Sequence, residues 1–401
     1  MTGTGVRSLT TEVVIAGAGP VGLLLACELR HGGVPVVIVE RLASPMTESR
    51  ASQLSTLSAE LLHERGFDSL LDEAEPEPRA HFGGLTFDLS GVTSDYAGNW
   101  KVPQYRTEAA LGTQAVLLGA TLLRAFEVTR VAVDDDRVTC VARGAGAELR
   151  VRARYLVGCD GAQSTVRRLC RFTASVSPPT RELLRADIRG LRIRDRRFER
   201  LDGGFAAAST RGGLTRVMVH VKGQRVTRRT GPPSYGEITR AWRQVTGEDI
   251  AAGEAVWVDA FGNAVGQVDR YRQGPVFLAG DAAHWHMPIG GQALNIGLAD
   301  AVNLGWKIVA VVAHGAAPGL LDTYHDERHP VAERALRWVC AQETVLLGGP
   351  EIEPLRAVLA ELITLGDARD HLARVVSGLD DPHPARARES LLSKETAGGQ
   401  I

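Results

Sequence analysis

The sequence predicts an α/β fold built around a Rossmann-like dinucleotide-binding unit, and three separated segments predict it. The first is Val13-Val14-Ile15-Ala16-Gly17-Ala18-Gly19-Pro20-Val21-Gly22. The second is Tyr155-Leu156-Val157-Gly158-Cys159-Asp160-Gly161, and the third is Val276-Phe277-Leu278-Ala279-Gly280-Asp281-Ala282-Ala283-His284. Each runs from an apolar, strand-like stretch into a glycine turn. Any one alone is a weak signal. All three, in this order, point to a chain that holds FAD along its length, and so to an oxidoreductase.

Glu12 to Ala16 reads as a buried parallel strand. Gly17, Gly19 and Gly22 then form G-x-G-x-x-G and open a helix through Leu23 to Leu29 that stops at Gly32-Gly33. A second apolar strand, Val34 to Val39, ends at Glu40. In such a unit the first glycine allows the tight turn, the second lets the backbone approach a pyrophosphate, and the third lets helix and strand pack closely. The helix start offers unpaired N–H groups and a positive dipole end to the phosphates. Glu40 stands about twenty residues on, where a carboxylate accepts ribose hydroxyls. A ligand-free glycine turn is the plainer alternative, and the complete strand–turn–helix–strand–Glu unit argues against it. This motif by itself does not separate FAD from NAD.

Leu149 to Cys159 alternates and then turns apolar, as one strand would, and Asp160-Gly161 ends it. Ser164 is a predicted N-cap for a helix starting at Thr165. Alone, Asp-Gly is an ordinary turn; beside the other segments, Asp160 is expected near the ribityl–pyrophosphate part of the flavin. Pro275 to Ala279 is a short buried strand, followed by Gly280-Asp281 and the loop from His284 to Asn295. A helix is predicted from there through Trp306 to Ala313. Asp281 is placed to bond ribityl hydroxyls. The loop and helix start can present N–H groups to the flavin N1–C2=O edge, which favours the anionic reduced ring without a charged side chain. The Pro288-Ile289-Gly290-Gly291-Gln292 run is costly in backbone entropy unless a ligand uses it.

A chain of 401 residues suits two closely joined domains. Its 44% hydrophobic and 23% charged content is ordinary for a soluble globular protein. A net charge of −1 gives no footprint for nucleic acid or an anionic membrane. Of the basic residues only Lys101, Lys222, Lys307 and Lys394 are lysine, an arginine bias that reads as a GC-rich genome. Met1 to Thr11 is polar, leads straight into a strand and lacks the shape of a signal peptide. No apolar run approaches a membrane span, so the cytoplasm is the expected compartment. Cys27, Cys140, Cys159, Cys170 and Cys340 form no C-x-x-C pair, which leaves zinc sites and dithiol chemistry unsupported.

These residues resemble the flavoprotein aromatic hydroxylases with the para-hydroxybenzoate hydroxylase fold. Within them the likeness is to aromatic-polyketide hydroxylases acting on angucycline- and anthracycline-type polycycles. It runs from about Val13 to Leu379 and takes in Glu48-Ser49-Arg50, His81-Phe82-Gly83-Gly84-Leu85, Val102-Pro103-Gln104, Val256-Trp257-Val258-Asp259-Ala260-Phe261-Gly262 and Tyr324-His325-Asp326-Glu327-Arg328-His329-Pro330. The resemblance implies a discontinuous FAD-binding domain (1–74, 101–174 and 259–330), an inserted β-sheet substrate domain (75–100 and 175–258) and a C-terminal helical segment (331–401). It implies FAD contacts at Arg50 and Gln104. The full set of candidate cofactor residues is then Gly17, Gly19, Pro20, Gly22, Glu40, Arg41, Arg50, Gln104, Asp160, Asp281, Pro288, Gly290, Gly291, Gln292, Ala293, Leu294 and Asn295. It further implies a substrate lying between the middle sheet and the flavin ring, and NADPH as a transient electron donor. Oxygen would form a flavin C4a-hydroperoxide that hydroxylates an electron-rich phenol, while the protein excludes water and positions the ring.

The chain departs from that pattern in four places. Such relatives usually continue into a thioredoxin-like domain, which is expected to be missing after Ile401. The flavin loop usually reads Gly-Gln-Gly; here Ala293 takes the last place, harmless if its φ is negative. Ala109 to Leu123, expected as one helix, carries no charge, and its leucines and valine exceed one buried stripe. That surplus predicts either a homodimer or pathway-enzyme contact, or burial by the body of the protein on both faces. Gly266 falls where relatives often carry arginine. Beyond these departures, Pro354 to Leu379 shows Leu355, Val358, Leu359, Leu362 and Ile363 at helical spacing, a face expected to pack on the main body and close it.

The candidate catalytic residues are His284, His286 and Pro288 in the flavin loop. Either histidine, beside a substrate phenol, could take its proton; the alternative is that each bonds backbone and shapes the loop. His325 and His329 are four apart, like a metal pair on a helix, but Pro330 interrupts the spacing and no metal is expected. Trp100 and Tyr105 are candidate pocket aromatics or ordinary core. The leading expectation is an FAD- and NADPH-dependent monooxygenase that uses O2 on a polycyclic aromatic polyketide in antibiotic biosynthesis. Two alternatives stay open: an FAD-containing cyclase, dehydratase or isomerase without net oxygenation, and a non-catalytic homologue that partners a hydroxylase.

Overall fold

A computed structural model describes residues 6–48, 51–134, 136–144, 146–380 and 382–385. At its centre stands a six-stranded sheet in the order Arg272–Gln273, Val276–Leu278, Tyr155–Gly158, Val13–Ala16, Val36–Val39, Thr121–Leu123. Every pairing is parallel except that of the Arg272–Gln273 edge. The four inner strands are buried end to end, which is why they read as unbroken apolar runs. The strand–helix–strand unit falls where the sequence puts it, with the helix at Pro20–His31. The long helix Gln292–Ala313 lies along it. A Cβ on Gly297 would sit 2.7 Å from Val21 Cγ2, and one on Gly305 2.6 Å from Glu28 Cβ, so glycine sets this close approach. By length and composition Ile289–Ala313 is apolar enough to cross a membrane, which corrects the expectation that no run is; 72% of its apolar 18-residue window is buried inside the protein.

A second sheet has the order Val6–Thr10, Ala147–Ala153, Arg137–Gly144, Glu127–Asp134. Val6–Thr10, in the polar N-terminal stretch, is thus itself a strand, parallel to Ala147–Ala153. Leu149 to Cys159 is not one strand. The alternating part belongs to this half-exposed sheet, and the continuous apolar part, Tyr155–Gly158, to the buried one. The change of period marked the boundary at Arg154.

The middle region carries a five-stranded antiparallel sheet, ordered Arg196–Leu201, Gly204–Arg211, Leu214–Val221, Glu182–Arg189, Glu254–Gly262. Helix Tyr235–Thr246 covers one face, setting Ile238 and Trp242 on Ala186, Ile188, Val217 and Val219. On the other face Leu183, Phe205 and Ala207 meet Met287 and Ile289 of the flavin loop. Hairpin Arg79–Phe82 and Leu85–Asp88 turns on Gly83 and Gly84, at φ +54° and +86°, the two positive values that a tight two-residue turn demands.

Three further expectations change. The charge-free segment is not one helix: helix Gln104–Leu117 ends there, and Thr121–Leu123 is the edge strand of the central sheet. Helix Thr323–Leu347 runs through Pro330, which does not interrupt the His325–His329 spacing. Pro354 to Leu379 forms two helices, Glu353–Ile363 and Gly366–Ser377. Ile363, Ala373 and Val376 pack on Phe82, Phe87 and Leu89 as expected. Leu355, Val358 and Leu362 instead stay exposed.

Candidate functional site

The three sequence segments converge at the C-terminal ends of the central strands, where a doubly wound sheet binds its ligand. Gly17 is at φ +104°, and a Cβ there would lie 2.4 Å from the Cys159 carbonyl oxygen, so the second segment closes the first turn. A Cβ on Gly22 would be 2.1 Å from the Gly17 oxygen. Gly19 has nothing within 4 Å: that turn opens outward. Helix Pro20–His31 has no side-chain cap at Gly19 and starts with Pro20, leaving its next N–H groups to a ligand.

Glu40 is buried and shapes the turn. Its Oε2 accepts from Ala18 N (2.7 Å) and its Oε1 from Leu42 N (2.8 Å). Arg41 beside it is exposed. Asp160 caps the helix Thr165–Leu169, accepting from Thr165 N (2.7 Å), Val166 N (3.0 Å) and Ser164 Oγ (2.5 Å). Ser164 is the N-cap expected, accepting from Arg167 N at 2.9 Å. Gln104 docks on the stretch before helix Thr56–His63, its Oε1 accepting from Ala51 N at 3.1 Å. Arg50 lies outside the described residues. Trp100 and Tyr105 part ways: the Trp100 indole N–H donates to Tyr96 O (2.9 Å), and Tyr105 is 42% exposed.

Gly280, at φ +60°, turns the chain so that Asp281 is exposed, with no ion pair among the described residues. The loop then passes Pro288, which is exposed, and the left-handed Gly290 (φ +73°) and Gly291 (φ +69°). Helix Gln292–Ala313 begins at Gly291 without a side-chain cap. Ala293 and Leu294 lie in its first turn, and Ala293 keeps out of the left-handed region, so alanine is tolerated there. Asn295 braces the turn by donating to Gly291 O at 2.6 Å. Two amide nitrogens beside the loop, Gln292 Nε2 and Gln342 Nε2, are buried without a partner among the described residues. An open glycine turn, two uncapped helix starts, an unpaired Asp281 and these orphaned donors together fit an FAD molecule.

The two loop histidines differ. His284 is fully buried, and its Nε2 donates to Asp300 Oδ2 at 2.7 Å. Its Nδ1 has no partner among the described residues. Asp300 Oδ2 also accepts from Gly280 N (3.1 Å), and Oδ1 from Arg328 Nε (2.8 Å). Burial would raise the Asp300 pKa, but His284 and Arg328 outweigh it and hold its carboxyl below the usual range. His286 Nδ1 donates to Met287 O (2.8 Å), leaving Nε2 as an unpartnered acceptor. Burial pushes the His286 pKa down, which favours the neutral ring and makes it a weaker base. The rings of His325 and His329 lie 4.8 Å apart, tilted by 60°, and both pack near Tyr271. Sequence reasoning missed Asp300. The signal was there: a lone carboxylate in the apolar run Leu298-Ala299-Asp300-Ala301-Val302 must have buried partners.

The profile of the FAD binding domain family matches residues 10–339. A 12-dehydrotetracycline 5-monooxygenase/anhydrotetracycline 6-monooxygenase of Streptomyces rimosus is 36% identical over 403 residues, covering 96% of this chain and 79% of that protein. A dialkyldecalin synthase of Streptomyces rugosporus is 36% identical over 381 residues, covering 93% and 81%. The crystal structure of CabE, an aromatic hydroxylase from angucycline biosynthesis, superposes with a TM-score of 0.89 at 43% identity, covering 92% of this chain and 76% of that one. The chain belongs to the FAD-binding family of flavoprotein monooxygenases.

Proposed function

We propose that the protein is an FAD- and NAD(P)H-dependent monooxygenase that hydroxylates a polycyclic aromatic polyketide. One observation carries the reading: Met287 and Ile289 of the flavin loop lie buried against the apolar face of the middle sheet, on Leu183, Phe205 and Ala207. When bound, FAD accepts hydride from the nicotinamide and activates dioxygen. The chain's residues do the rest. Gly17, Gly19 and the start of Pro20–His31 take the pyrophosphate, and Asp281 takes the ribityl hydroxyls. The uncapped start of Gln292–Ala313 favours negative charge on the reduced ring. The apolar roof excludes water from the reacting atoms. His286 Nε2 is the candidate acceptor for a phenolic proton.

The reading is tested by substrate-stimulated NAD(P)H oxidation under labelled oxygen, with mass analysis of the product. One labelled oxygen in a polycyclic phenol supports it. A second reading, a flavin-holding cyclase without net oxygenation, draws on the 36% identity to the dialkyldecalin synthase. Product isomeric with substrate, and no NAD(P)H consumed, would favour that one.

A further inference from the structure

A polar chain runs from the flavin loop toward the middle region and ends on a lysine. Asn295 Oδ1 accepts from Ser55 N at 2.9 Å, which fastens the segment around Gln53 to the loop. The Gln53 side chain lies against Gly291: a Cβ there would be 3.1 Å from Gln53 Nε2. That nitrogen donates to Asn99 Oδ1 at 2.9 Å, and buried Asn99 in turn donates to Arg79 O at 3.3 Å. With its nitrogen so fixed, Gln53 turns Oε1 to Lys101, whose Nζ donates to it at 2.5 Å.

An ammonium has three protons to give, and Lys101 forms no ion pair among the described residues. Glu77, the carboxylate whose charge acts on it, is already held by Arg79 (3.3 Å) and Arg197 (2.7 Å). Burial first, then Arg211 and Arg197, push the Lys101 amine down to about 8, with Glu77 opposing. His81 is near enough for the Lys101 charge to act on it. Its Nδ1 accepts from Gly84 N (3.3 Å), and its ring centroid is 4.0 Å from that of Phe198. Burial and the charge of Lys101 push His81 to about 4, so it offers no second cation at neutral pH. Half-buried and bonded to a single neutral acceptor among the described residues, the ammonium is placed to meet an anionic oxygen. The chain's basic residues are nearly all arginine, yet the one at this place is an amine.

We propose that Lys101, held on Gln53 beside Gly291, binds the oxygen of the substrate phenol once its proton has left and so stabilises the phenolate. The inference rests on the substrate class proposed above, and ionisation supplies the electron-rich ring which that reaction needs. FAD-loaded wild type, Lys101→Met and Lys101→Arg are titrated with a hydroxyanthraquinone whose phenolate absorbs to the red of its phenol. Wild type should bind the phenolate about tenfold tighter than the phenol, lowering the bound probe's apparent pKa by about one unit. Lys101→Arg should keep most of that shift. Lys101→Met should lose it, at unchanged flavin content and unchanged cooperative unfolding. If methionine disturbs folding, Lys101→Gln carries the same comparison. An unaltered bound-probe pKa in the neutral variant overturns the assignment and leaves the substrate class standing. Wild type that binds neither form overturns the substrate class, and this inference with it.

Discussion

The indole of Trp285 fills the space that a side chain at Gly266 would need. A Cβ on Gly266 would stand 2.0 Å from Trp285 Cζ2, and the two residues pair across antiparallel strands. The Arg167 guanidinium covers the ring, 4.1 Å from its centroid. Glycine at 266, where arginine was expected of relatives, is thus matched by tryptophan at 285. Gly266→Ala should cost about 1–3 kcal/mol through overpacking and change the tryptophan emission. Adding Trp285→Ala should recover part of that loss. The check is denaturant unfolding of both single variants and the double; strictly additive losses would mean that the two residues do not share this space.

Asp281 is the one loop carboxylate left exposed and unpaired among the described residues, directly after the Gly280 turn. Asp281→Ala should therefore remove contacts to flavin and none to the fold. Loss of hydrogen bonds to a charged group costs about 1.5–3 kcal/mol, or roughly tenfold or more in FAD affinity. Purified Asp281→Ala should be pale, bind added FAD weakly by fluorescence quenching, and keep the wild-type circular dichroism. Stoichiometric flavin at unchanged affinity would place the ribityl contact elsewhere.

Much of this arrangement was legible in the sequence where one period governs a segment. The turn Gly17–Gly22, the cap Ser164 and the loop Gly290–Gly291 announce themselves because backbone geometry admits few residue types there. Leu149 to Cys159 was misread because two sheets meet inside one apolar stretch. Leu122 and Leu123 were misread because a short edge strand and a helix end look alike in composition. The braces Asp300, Gln53 and Lys101 were hidden for another reason: their partners lie far away in sequence, and only the fold brings them to the loop.

The charge-free segment loses most of its surplus once it is divided. Leu111 is buried, Leu118, Leu122 and Leu123 pack against the core, and only Val116 and Leu117 stand out, at 52% and 76% exposed. Two side chains are few for a stable interface, which needs a buried anchor cluster. Leu117→Glu should therefore leave flavin content, Tm and sedimentation unchanged, a surface substitution within about 0.5 kcal/mol. A drop in sedimentation coefficient in that variant would restore the intermolecular contact that the sequence suggested.

Asp300 should make stability depend on acid. Its carboxylate joins Gly280 N, His284 and Arg328 with no exposure to water. Its folded pKa is lowered, so its stabilising contribution is complete above the unfolded carboxylate value, about 4, and is lost as pH falls through the folded value. Asp300→Asn keeps the shape but withdraws the charge from Arg328 and His284. Breaking a buried pair in this way costs about 3–5 kcal/mol at neutral pH. Because the same carboxylate holds the Gly280 turn, flavin affinity should fall as well. Denaturant unfolding of wild type and Asp300→Asn at pH 7 and at stepwise lower pH should show the gap between them closing below about pH 4. A gap of constant size across that range would mean that Asp300 acts through its hydrogen bonds alone, and that its charge does not hold the loop.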